Sequence, residues 1–114
     1  MSASPVEVVE NYFTALQAKD LKKLPLADTI IFTDPLAGTL TSQTAVVAFL
    51  SNVLPILQAI TIHYHVQDQN RVVTRWDAQT TLGMIEILEW FEISDGHIQV
   101  AQAFFDPRVI TQTR

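Results

Sequence analysis

Glu89 is the acid whose sequence surroundings suit it least. The stretch MIEILEWFEI, residues 84–93, alternates with the two-residue period of a strand, placing Ile85, Ile87, Phe91 and Ile93 on one face. Glu89 lies at the centre of that face, whereas Glu86 and Glu92 share the opposite face with Leu88 and Trp90. Most glutamates are exposed or paired with a cation, but the flanking Ile87 and Phe91 weigh against that here. A carboxyl set in an apolar wall loses hydration, so its pKa rises and it can stay protonated as a hydrogen-bond donor. A neutral acid facing a cavity is a catalytic device.

Other residues could join it. Asp34 precedes Pro35 at the end of a β-branched run. Asp-Pro is ordinarily a turn in which the side chain bonds nearby backbone, but beside a cavity the carboxylate could act as a proton-transfer base. Tyr12 stands among Val8, Val9 and Leu16, where a tyrosine is usually core, or else aims its hydroxyl into a pocket. His63 and His65 fall on one face of a strand at a spacing that suits a metal, but no third ligand accompanies them, so no metal site is expected. Arg75 and Asp77 share a strand face, with an ion pair as the default reading. His97 lies beside a turn and is expected in solvent. The sequence shows no phosphate-binding glycine loop and no serine nucleophile motif.

The elements that must hold these groups are legible. Ser4-Pro5-Val6-Glu7 is a helix start with a capping box, followed by Val6, Val9, Phe13 and Leu16 at helical spacing. Asp20 can cap a short second helix over 21–24. A strand is expected over 29–33. A third helix, capped by Thr41 or Ser42, should carry Val46, Phe49, Leu50, Val53 and Leu54 inward until Pro55 bends or ends it. Strands are then expected near 59–68, 71–82, 84–93 and 97–105, with turns at Gln69-Asn70 and Asp95-Gly96. With Asp95-Gly96 as a two-residue turn, Ile93 should face Ile98, Phe91 face Val100, Glu89 face Gln102 and Ile87 face Phe104. Gln102, Phe91, Trp76 and Phe104 are the expected ligand-binding residues around the acid. Helices followed by antiparallel strands make an α+β layout.

The bulk properties bound the function. The 114 residues suffice for one domain, 1–114, with one core. Hydrophobic residues make up 48%, rich enough to imply a large core, an apolar pocket, a buried subunit interface or several of these. The net charge is −5 with seven Lys and Arg, which argues against nucleic acid. No apolar run approaches a membrane span. MSASP lacks the features of a signal peptide, so a cytoplasmic location is expected. Cysteine is absent, which excludes disulfides and thiolate chemistry.

Four segments together resemble the ketosteroid isomerase and SnoaL-like polyketide cyclase group of the NTF2-like superfamily. They are Tyr12-Phe-Thr-Ala-Leu-Gln-Ala-Lys-Asp20-Leu, Phe32-Thr-Asp34-Pro35-Leu36, Glu89-Trp90-Phe91-Glu92-Ile93-Ser94-Asp95-Gly96-His97-Ile98 and Phe105-Asp106-Pro107-Arg108. The resemblance spans nearly the whole chain. It implies a cone, with a curved, mostly antiparallel sheet wrapped around about three N-terminal helices and an internal pocket, and a homodimer paired through the sheet. Carried over by position, it makes Asp34 a general base, Tyr12 an oxyanion donor and Glu89 the protonated acid, working without a cofactor on a small hydrophobic carbonyl compound. Glu89 departs from the aspartate usual there and is one methylene longer. Arg75-x-Asp77 resembles an element of limonene epoxide hydrolase, but the remaining acid of that triad has no clear match. A non-catalytic hydrophobic-ligand-binding or scaffold domain is the third reading.

Overall fold

Ser4 begins the first helix as its sequence dictates: its hydroxyl accepts from the Glu7 N–H, and the Glu7 carboxylate accepts from the Ser4 N–H at 2.9 Å. This computed structural model describes residues 3–112. Helix α1 (Pro5–Ala18) buries Val8, Val9, Tyr12, Phe13, Ala15 and Leu16 on one side. The second of the expected N-terminal helices is only a single 3-10 turn, Leu21–Lys23. Strand β1 (Leu26–Asp34) follows, and a short β2 (Gly38–Leu40) folds back on it. Ser42 caps α2 (Gln43–Val53), and Pro55 converts its end into a 3-10 turn, Leu54–Ile56.

The remaining chain is β3 (Leu57–Asp68), β4 (Arg71–Thr80), β5 (Gly83–Ser94) and β6 (His97–Phe104), closed by a short helix α3 (Arg108–Thr111). The six strands form one sheet in the order β2-β1-β6-β5-β4-β3. Only the β1–β6 pairing is parallel. The helices cover one face, where Val9, Ile30, Val46, Val72, Phe91 and Ile98 are sealed from solvent. Neither β2 nor α3 was expected. Both are too short to show a period. Among the described residues no helix is long and apolar enough to cross a membrane.

Strand β5 obeys its alternation. Ile85, Ile87, Glu89, Phe91 and Ile93 are all buried on the helix-covered face. Strand β6 does not follow the expected register. Ile93 faces Ile98, but Glu92 then faces Val100, so Gln99 is an extra residue in a bulge. Glu89 lies opposite Ala103, while Gln102 faces Trp90. The bulge lets Ile98, Ala101 and Ala103 all point inward despite their mixed parity. A second bulge, at His63 between Ile62 and Tyr64, bends β3 against β4.

Candidate active site

Asp34 ends β1 on the inward side of that strand, in line with Ile30 and Phe32. Its Oδ1 accepts the backbone N–H groups of Leu36 and Ala37 at 2.8 and 2.6 Å, which makes the Asp-Pro turn. Burial raises its pKa, and those two donors work in the opposite direction. Oδ2 has no hydrogen-bond partner among the described residues. The turn therefore fixes one oxygen of the carboxylate and leaves the other free.

Glu89 reaches the same space from β5 and is 2% exposed. The Trp76 indole N–H donates to its Oε1 at 3.2 Å. Burial pushes its pKa up to about 8; the Trp76 bond opposes this and the charge of Asp34 adds to it. At neutral pH the acid is largely protonated. With Oε1 accepting from Trp76, the proton belongs on Oε2, which has no protein partner among the described residues.

Tyr12 comes from α1. Its ring meets Phe13 and Phe91 edge-on, with centroids 5.3 and 5.5 Å apart. Burial holds its phenol well above the usual range, and Glu89 and Asp34 push it further up, so it is a donor and not a phenolate. Its hydroxyl makes no hydrogen bond to the described residues. No buried side-chain nitrogen or oxygen among them is left both sealed and unpartnered. The free atoms of Tyr12, Asp34 and Glu89 are therefore accessible, and all three residues line one cavity of about 180 Å³ between the sheet and the helices. The rest of its wall is mainly apolar, including Leu16, Phe32, Leu50, Ile85 and Ile87.

Of the expected ligand-binding residues, Trp76 lines the cavity. Phe91 is buried behind Tyr12 and does not reach it. Gln102 and Phe104 lie on the opposite, outer face of the sheet: the β6 bulge reverses their orientation, Gln102 accepts the Trp90 indole N–H at 3.2 Å, and Phe104 is 51% exposed. The bulge at His63 likewise separates the two histidines. His63 bonds Asp77 on the outer face, whereas His65 turns inward to the Thr74 hydroxyl. Arg75 and Asp77 are also on the outer face, tied to each other at 2.7 Å, with Glu86 beside Arg75. Among the described residues no group of three or more potential ligands is placed to hold a metal.

Two polar lining residues, Asn52 and Thr80, carried no signal in the sequence. Thr80 is occupied, donating to the Gly83 carbonyl and accepting from the Leu82 N–H. Asn52, in the last turn of α2, donates to the Ala48 carbonyl.

A family defined as a domain of unknown function, DUF4904, matches residues 2–114. The chain belongs to that family. Among proteins of curated function, none matches the sequence. Solved structures superpose closely. An NTF2-like protein of unknown function from Cytophaga hutchinsonii is 16% identical with a TM-score of 0.82, covering 97% of each chain. A candidate ketosteroid isomerase from Kribbella flavida is 13% identical with a TM-score of 0.77, covering 90% of this chain and 77% of that one. An LEH-like epoxide hydrolase from M. tuberculosis is 18% identical with a TM-score of 0.76, covering 95% and 86%. At such identities the likeness establishes the fold, which is NTF2-like, as the four sequence segments implied.

Proposed function

We propose that this DUF4904 protein catalyses proton transfer on a small hydrophobic carbonyl compound held in the cavity. The observation that carries the proposal is the set of three unpartnered oxygens, Asp34 Oδ2, Glu89 Oε2 and Tyr12 Oη, in one apolar space. Asp34 Oδ2 takes a proton from the carbon next to the carbonyl. The C–H electron pair becomes the enolate double bond, and the carbonyl electrons move onto oxygen. Tyr12 and neutral Glu89 donate to that oxygen, and they act strongly because the surrounding wall is mainly apolar and their positions are already set. Asp34 then returns its proton, to the same carbon or to the far end of a conjugated system, in which case the double bond has moved.

Arg75 and Asp77 take no part in this reading, because they face away from the cavity and are already paired. The likeness to an epoxide hydrolase stays one of fold.

The outer face of the sheet supports pairing with a second copy. Tyr64, Val66, Leu88 and Phe104 are exposed there. Both arginines on this face are paired within it, Arg71 with Glu92 and Arg75 with Asp77 and Glu86. A surface with exposed apolar side chains and paired arginines suits a two-fold partner bearing the same surface.

The deciding experiment measures isomerisation of a β,γ-unsaturated cyclic ketone, and deuterium uptake next to its carbonyl, in the wild type and Asp34→Asn. Asparagine retains an oxygen for the Leu36 and Ala37 N–H groups, so the turn survives. A loss of about 10²–10⁴-fold in turnover, with ligand binding kept, is expected. Equal turnover removes Asp34 from the reaction.

A further inference from the structure

The cavity limits what can enter it. A site of roughly 150 Å³ accepts one benzene, and sites for drug-sized ligands run from about 300 to 1,000 Å³. At about 180 Å³ this cavity lies near the lower figure. The lining residues that keep some exposure mark its mouth, and they include Leu36, Phe49, Asn52, Phe105 and Ile110. Two of these belong to the C-terminal segment. Helix α3 is set against the β4–β5 turn, where a Cβ added at Gly83 would come within 3.2 Å of Val109. Gly83 has φ +133°, a conformation that suits glycine, so the turn admits α3 closely. Ile110 of that helix and the preceding Phe105 thus form part of the cavity wall.

We propose that the ligand class is a compact carbonyl compound or enol with a single ring, not a fused polycycle, and that Phe105 and Ile110 set this size limit. The inference rests on the proton-transfer reading, because that reading requires the ligand's oxygen to sit against Tyr12 and Glu89. With the oxygen placed there, a single ring fills the apolar space between Leu16, Leu50 and Ile85, and a second or third ring meets Phe105 and Ile110.

The test uses phenols as mimics of the enolate: phenol, 2-naphthol and a four-ring steroid phenol. Binding is followed through the indole N–H resonance of Trp76, assigned with Trp90→Phe, because Trp76 lines the cavity and bonds Glu89. Phenol should shift the resonance saturably, and the steroid phenol should bind at least tenfold more weakly. Ile110→Ala and Phe105→Ala should each narrow the gap between naphthol and phenol. If the steroid phenol binds as tightly as phenol in the wild type, the size limit is overturned and the proton-transfer reading stands. If naphthol binding ignores both substitutions, these residues do not set the limit. If no phenol of any size shifts Trp76, the oxyanion site itself fails and takes this inference with it.

Discussion

Trp76 and Glu89 are joined inside the cavity wall by a single hydrogen bond of 3.2 Å, from the indole N–H to Oε1. The bond stabilises the ionised acid, while the burial of Glu89 favours the neutral one, and burial prevails. One oxygen of the acid is thereby fixed by the protein, and the other has no protein partner among the described residues.

Trp76→Phe should move the Glu89 pKa above its value of about 8. Phenylalanine retains ring packing against Phe13, whose centroid lies 4.9 Å away, but removes the donor. Side-chain carboxyl carbon shifts followed against pH would show this. A fall would mean that the indole acts chiefly by excluding water.

Stability should decline as pH rises through the window set by Glu89. Folding raises its pKa from 4.5 to about 8. The folded chain therefore binds more protons than the unfolded chain across that interval, so the neutral acid's contribution is whole below 4.5 and is lost as pH rises through 8. The loss is on the order of a few kcal/mol. Glu89→Gln, which cannot ionise, should flatten this part of the Tm profile between pH 5 and 9. An unchanged slope would assign it to other groups.

Tyr12→Phe should lower kcat by about 10²–10³-fold, the usual cost of one oxyanion donor. The Tyr12 hydroxyl bonds none of the described residues, so thermal stability should hold or rise slightly. A large drop in Tm would mean that the hydroxyl has a structural role.

Leu88 and Phe104 are register partners on the outer face, exposed by 41% and 51%. Replacing either with glutamate should convert a dimer into a monomer in sedimentation experiments without disturbing the cavity on the other face. A mass indifferent to both changes would place the dimer contact elsewhere, or show that none exists.

Local alternation and capping were enough to predict much of this molecule. The Ser4 and Ser42 caps, the four long strands and the inward position of Glu89 follow from short-range chemistry, because side-chain direction along a strand depends only on its own backbone. The Asp34 turn was legible for the same reason: its partners are two and three residues away. Register was not local. The Ile93 N–H bonds the Asn70 carbonyl, in the turn between two other strands, and beside this the β6 bulge moves Gln102 and Phe104 to the outer face. The His63 bulge splits the two histidines in the same way. Amino-acid sequence thus determined which groups could be acid, base and donor. Only the tertiary structure decided that Asp34, Glu89 and Tyr12 share one cavity and that Arg75 and Asp77 do not, because α1, β1 and β5 meet there through contacts far apart in the chain.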